Sequence, residues 1–434
     1  MNTIEIITKK RDKKTLSQEE ICHIVTGAVD GSIPDYQLSA FLMAVFLNGL
    51  DYNETFFLTK AMLESGKTLD FSDIDGIKTD KHSTGGVADT TTLILSPAVS
   101  SLGVPVIKMS GKGLGFSGGT IDKLSSIPNF TTEISMENAK KFVKKSNIVL
   151  MSQSENLAPA DKIFYALRDA TGTVENIPLI ISSILSKKFA TGSDAIVFDV
   201  KCGKGAFMKD LDSAHELADG LISISRKFNK KAVAVISSMN QPLGNYIGNS
   251  LEVMEAIEVL KGNVKGDLFE ISAVLGGAML YLSGKSKNID EGKALIKETI
   301  QNGSALEKFK ELIVQQNGNP EIINDYSYLL KDKITSELKA EKDGYIYSVD
   351  TEKFGIASVE TGAGRHTKEE QIDLYAGIIL NRRIGDYVNK GDTIAKIISS
   401  TEEKCKTALE ILSCAVEISD VKPKEEPLVF DIIE

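Results

Sequence analysis

Two short glycine-bearing segments concentrate the residue types that hold a small anion. The first, Lys81-His82-Ser83-Thr84-Gly85-Gly86, packs a cation, an imidazole, two hydroxyls and two adjacent glycines into six positions. Adjacent glycines let backbone N–H groups approach a ligand closely, and a following helix start adds its positive dipole end. A helix is predicted over 88–102, its start marked by Asp89 and by Thr90, Thr91 and Thr92. A GG pair alone is most often a turn; the lysine, imidazole and hydroxyls beside it favour an anion site. The second segment runs from Lys108-Met109-Ser110 to Gly118-Gly119-Thr120, with five glycines in the nine residues 111–119. So much glycine is costly to order unless the backbone must wrap something closely. It follows a predicted strand at 104–109, where open α/β sheets bind ligands. The spacing fits neither a Walker loop nor a dinucleotide fingerprint, so a dedicated inorganic phosphate site is the expectation.

A third group lies on two predicted helices in the middle of the chain. Ser183 and Lys187 are four apart, and Tyr165 and Arg168 three apart, so each pair shares a helical face. Packed as a hairpin, these helices would bring two cations and hydroxyls onto one polar ligand. Taken alone, lysine and arginine on a helix are usually solvated.

Positioning these groups requires an α/β sheet with helical cover. Apolar runs at 104–109, 147–151, 194–200 and 232–237 read as buried strands, separated by helix-like segments such as 136–146 and 211–229. The first 65 residues read as three amphipathic helices, the first opened by a capping box at Ser17 and Glu20, the second near Pro34, the third near Asp51 and Glu54. Residues 159–190 again read as two helices. The expected organisation is a discontinuous helical domain (1–65 and 158–192) and a large α/β domain (66–157 and 193–334) that carries a C-terminal α+β part as an appendage (335–434). Hinges for closure are expected near 66–72, 154–158 and 190–194.

A chain of 434 residues is too long for one ordinary core. A formal charge of −10 argues against a nucleic-acid partner, which normally needs a basic face. Cys22, Cys202, Cys405 and Cys414 show no CxxC pair and fit reduced thiols, and four histidines make a multi-histidine metal site unexpected. The N-terminal stretch lacks the apolar core of a signal peptide, and no run is long enough to span a membrane, so a soluble, cytoplasmic protein is expected.

The order and spacing of KHSTGG (81–86), SGKGLGFSGGTIDKL (110–124), YALRD (165–169) and SSILSKK (182–188) resemble the pyrimidine-nucleoside and thymidine phosphorylase family over essentially the whole chain. DTTT (89–92) and KMSG (108–111) are more similar to its broader-specificity branch. The resemblance implies a phosphate site of Lys81, Ser83, Thr92, Lys108, Ser110 and Thr120. It implies a base site of Arg168, Ser183 and Lys187, with Tyr165 and His82 nearby, and chemistry carried by His82, Arg168 and Lys187. It further implies a homodimer formed through the helical domain and no cofactor for the chemistry. In some members a structural potassium ion is held at positions matching Ala88, Thr90, Leu243, Tyr246 and Glu255. The implied reaction is phosphorolysis of uridine, thymidine or deoxyuridine to free base and an α-sugar 1-phosphate. The alternatives are a phosphoribosyltransferase-like enzyme, which would need metal-binding acids beside the glycine loop, and a nonenzymatic pyrimidine-binding protein. Lys112, Phe116, Ala88 and Ser125 depart from the family's usual arginine, histidine, glycine and glutamate.

Overall fold

The computed structural model describes residues 1–113, 118–153, 157–367 and 370–434. Four helices open the chain: α1 (Thr3–Arg11), α2 (Gln18–Asp30), α3 (Asp35–Asn48) and α4 (Tyr52–Glu64). Capping boxes start α2 at Ser17 and α4 at Asp51, as the S-x-x-E and D-x-x-E spacings predict. Helix α1 has no counterpart in the sequence reading because only Ile6 and Lys10 of its residues are buried. Lys10 is 4% exposed and reaches Glu54 of α4 at 2.9 Å, so one buried ion pair anchors the helix.

The α/β part continues with β1 (Thr79–Ser83), α5 (Thr91–Ser101), β2 (Val106–Ser110), α6 (Thr120–Ser125), α7 (Met136–Ser146), β3 (Ile148–Ser152), α8 (Pro159–Thr171), α9 (Ile177–Ala190), β4 (Ala195–Cys202), α10 (Leu211–Lys227), β5 (Lys231–Ser238) and β6 (Tyr246–Ile247). Then come α11 (Asn249–Leu260), α12 (Asp267–Leu282), α13 (Ile289–Gln301) and α14 (Ser304–Gln315). Strands β5, β4, β1, β2 and β3 lie side by side, all parallel. Four of these strands match the apolar runs of the sequence. The fifth, β1, does not: its sequence TDKHS has no aliphatic residue, so no apolar run marks it. It is nonetheless central, and its buried Asp80 and Lys81 are neutralised by partners on opposite faces of the sheet. Helix α5 starts at Thr91, three residues later than predicted.

One apolar core lies between this sheet and α5, α11, α12 and α14; another joins the opposite face to α9 and α10. Helix α8 and Leu179 of α9 pack with α1–α4, whereas Ile181, Ile184, Leu185 and Phe189 of α9 pack on the sheet. Helix α9 therefore straddles the two cores. Among the segments expected as hinges, Leu69 N–H donates to Ala190 O at 2.8 Å, tying 66–72 to 190–194.

The remaining elements are β7 (Ile334–Lys339), β8 (Gly344–Val349), α15 (Thr351–Glu360), β9 (Gly377–Leu380), β10 (Tyr387–Val388), β11 (Thr393–Ser399), α16 (Glu402–Ser413), β12 (Val416–Ser419) and β13 (Val429–Ile433). They form antiparallel sheets in the orders β10-β8-β12 and β6-β9-β11-β7. This part is sewn to the α/β part in both directions: β6 joins β9, and β13 adds an antiparallel edge to β5. Among the described residues no helix is long and apolar enough to cross a membrane.

Candidate active site

The carboxyl ends of β1 and β2 open into one cavity, the position at which parallel sheets bind ligands. Its walls include Lys81, His82, Ser83, Gly85 and Gly86 after β1, and Asp89 and Thr92 at the start of α5. Lys108 to Gly111, Gly118 and Thr120 come from the second glycine segment. Gln153, Leu157, Lys187, Lys188 and Thr191 close the other side. All six residues expected to hold phosphate thus line the same cavity, together with His82 and Lys187.

Its floor is a buried lattice of lysines and aspartates. Lys81 Nζ donates to Thr91 Oγ1 at 2.7 Å and lies 3.2 Å from Asp199 and 3.4 Å from Asp89. Asp199 is shared with Lys201 at 2.9 Å. On the other face of β1, Asp80 pairs with Lys188 of α9 at 2.7 Å and with Lys108 at 3.5 Å. Lys188 also donates to Met109 O at 3.1 Å, and Lys108 to Lys81 O. Burial, together with the neighbouring Lys188 and Lys81, pushes Lys108 down to about 7 despite Asp80. Burial and the surrounding lysines hold the His82 imidazole well below its ordinary value, so it is neutral at pH 7. A cavity with a neutral histidine and an ammonium, Lys108, that shares its aspartate with the closer Lys188 favours an anion.

The helical residues divide. Lys187 Nζ donates to Asp161 Oδ2 at 2.6 Å and Ser183 Oγ at 2.9 Å, and lies 5.7 Å from the centre of the Tyr165 ring. The α8–α9 hairpin therefore does bring Tyr165, Ser183 and Lys187 together. Of the three, Lys187 lines the cavity; Ser183 is buried and Tyr165 is exposed beside it. Arg168 is not brought to the cavity. It is 2% exposed and donates to Thr173 O, Leu179 O and Val174 O, carbonyls of the α8–α9 connection and the first turn of α9. Helix α8 ends in a left-handed Gly172, which turns the chain back so that these carbonyls meet the guanidinium.

The residues matched to a potassium site gather where the loop after β1 meets residues 242–246. Gly244 N–H donates to Ala88 O at 3.2 Å and Leu243 N–H to Val87 O at 3.0 Å. Glu255 accepts from the N–H groups of Asn245 (2.6 Å) and Tyr246 (3.1 Å), and burial pushes it up to about 7. The Thr90 hydroxyl donates to Glu252 rather than Glu255, at 2.5 Å. Ala88 has φ 56, the left-handed region, so the position does favour the glycine it lacks. Of the other departures, Lys112 is exposed, Ser125 donates to Ile121 O in α6, and Phe116 lies outside the described residues.

Several site residues leave no usable signal in the sequence. Asp80, Asp161, Lys188, Asp199 and Lys201 escape notice because an isolated acid, a lone lysine or the second lysine of a KK pair carries no spacing rule. The strand alternation of β1 and β4 would locate Asp80 and Asp199 once β1 is recognised.

Comparison with known proteins agrees with this architecture. Residues 75–306 match the glycosyl transferase family a/b domain, 4–66 the glycosyl transferase family helical bundle domain, and 345–419 the pyrimidine nucleoside phosphorylase C-terminal domain. The chain is 50% identical over 403 residues to a pyrimidine-nucleoside phosphorylase of Geobacillus stearothermophilus, covering 93% of each chain. It is equally similar to one from Staphylococcus epidermidis, and 49% identical to one from Staphylococcus aureus, at the same coverage. Among solved structures, anthranilate phosphoribosyltransferase from Thermus thermophilus superimposes with a TM-score of 0.59 at 18% identity, over 72% of this chain and 99% of that one. That likeness concerns the fold. The three domain matches and the half-identical relatives show that the chain belongs to the pyrimidine-nucleoside phosphorylase family.

Proposed function

We infer that the protein splits pyrimidine nucleosides with inorganic phosphate, releasing the free base and an α-sugar 1-phosphate. The observation that carries this is the gathering of Lys81, Ser83, Thr92, Lys108, Ser110 and Thr120 around one cavity, with Lys187 on its other side. Phosphate is already a competent oxygen nucleophile, so no activated serine or cysteine is needed. The two glycine segments hold it beneath C1′ of the sugar and keep water from competing. As the glycosidic bond breaks, C1′ takes on oxocarbenium character and negative charge grows on the pyrimidine ring. Lys187 meets that charge, and His82, neutral in this lattice, donates a hydrogen bond to a carbonyl oxygen. Attack on the face opposite the base inverts C1′ and gives the α product. Arg168 supports the base site by fixing the α8–α9 connection behind Ser183 and Lys187; a direct contact with the base requires its side chain to leave the carbonyls it now serves.

Uridine, thymidine and deoxyuridine are the proposed substrates. A potassium ion is proposed at Ala88, Thr90, Leu243, Tyr246 and Glu255; the buried Glu255 carboxylate beside Gly244, whose N–H meets Ala88 O, supports it, and bound there the ion would stiffen the loop after β1. A higher melting temperature in potassium than in choline buffer tests it. A homodimer is proposed on the face of α3 that exposes Tyr36, Met43 and Leu47. Four free cysteines accord with a reducing, cytoplasmic setting. The reading is tested by comparing uridine, thymidine, cytidine and inosine in excess phosphate. Uridine and thymidine should be cleaved, and cleavage of inosine as fast as uridine contradicts the assignment of the base.

A further inference from the structure

No described residue beyond Thr191 lines the cavity, yet one side chain from the C-terminal part reaches its glycine loop. Arg365, between α15 and β9, is 8% exposed. Its Nη2 donates to Asp122 Oδ1 at 2.8 Å, and its Nη1 to Asp122 Oδ2 at 3.1 Å and to Gly113 O at 2.7 Å. Asp122 Oδ2 also accepts the Gly113 N–H at 2.6 Å. Both backbone polar groups of Gly113 are therefore committed to this one ion pair. The exit of the loop is packed against the same point: a Cβ on Gly119 would fall 2.0 Å from Gly113 N and 2.8 Å from Asp122 Oδ2. Just outside this pinch stand Ser110 and Thr120, both on the cavity wall.

We propose that Arg365 is a positioning residue for the phosphate site, its guanidinium fork clamping the entry and exit of the glycine loop together through Asp122. The inference rests on the reading of the cavity as a phosphate site. A planar fork spans two carboxylate oxygens and a carbonyl at once, which an ammonium does not. A glycine-rich loop has much conformational freedom to lose, so an external clamp lowers what the ligand must supply on binding. The clamp is not what attaches the C-terminal part. Asn249 donates to Ala363 O at 2.8 Å, Ser250 N–H to Leu374 O at 3.0 Å, and Leu380 N–H to Asn245 O at 2.7 Å, all independently of Arg365.

The test compares Arg365→Met and Arg365→Lys with the wild type in the full chain. Binding of inorganic phosphate is measured by calorimetry, and KM for phosphate and for uridine separately. Arg365→Met should raise the phosphate Kd and KM at least ~10-fold, the scale of misplacing a binding group, while the uridine KM moves by less than about three-fold. Arg365→Lys should recover only part of the phosphate affinity. A phosphate KM within about two-fold of wild type, or equal losses on both substrates, overturns the proposal. If Arg365→Met does not fold, the same split in Arg365→Lys decides. Wild-type protein that binds no phosphate removes the underlying reading and the proposal with it, an outcome distinct from wild type and variant binding phosphate equally.

Discussion

Lys187 and Arg168 illustrate how far a single side chain can be read from its spacing. The i,i+4 relation of Ser183 to Lys187 is enough to place both on one face, and the two lie 2.9 Å apart. Arg168 shares a face with Tyr165, but its guanidinium is claimed by carbonyls that reach it only because the chain reverses at Gly172. No spacing rule encodes that reversal. Lys187→Ala should lower kcat/KM for uridine by at least ~100-fold, the usual cost of one charge-stabilising donor, and change phosphate affinity far less. Near wild-type turnover would contradict its role. Lys108, pushed down to about 7 by burial, gives a pH signature. A bound anion favours the protonated ammonium, so affinity is full below that value and declines as pH rises through it. Sulfate, whose charge is constant across this range, should lose affinity by up to ~10-fold per pH unit above about 7, and Lys108→Gln should flatten the profile. A wild-type sulfate profile flat from pH 6 to 9 would argue against a titrating lysine in the site.

At the scale of elements, sequence pattern succeeds where burial is apolar and fails where it is ionic. Strands β2 to β5 announce themselves by aliphatic runs, and the capping boxes of α2 and α4 by their spacing. Strand β1 and helix α1 are held by buried charge pairs, which leave no periodicity to detect. The α1–α4 pair makes the point testable. Glu54 accepts from Lys10 at 2.9 Å and from the N–H groups of Leu16 and Asp51, each at 2.8 Å. Glu54→Ala strands the Lys10 ammonium in the apolar core and removes a capping partner, and should cost ~3–5 kcal/mol. Lys10→Met leaves Glu54 with its two backbone donors and should cost clearly less. A urea unfolding series that ranks them the other way would contradict this account of why α1 folds.

Across the whole molecule, the parallel sheet gathers two loops at the carboxyl ends of its inner strands, and α9, a helix rooted in both cores, carries Lys187 and Lys188 to them. Much of that architecture was legible: the alternation of strands and helices, the helical N-terminus and the strand-rich end. The contribution of residues beyond 335 was not, because β6, β13 and Arg365 reach their partners across separations of more than a hundred residues. In the proposed reaction phosphate, not water, attacks C1′. The direct measurement is uracil and ribose 1-phosphate released from uridine, quantified together while phosphate is varied from zero. Uracil should appear only with phosphate or arsenate, and in phosphate should be matched one for one by the sugar phosphate; equal uracil release in phosphate-free buffer would identify a hydrolase and contradict the account.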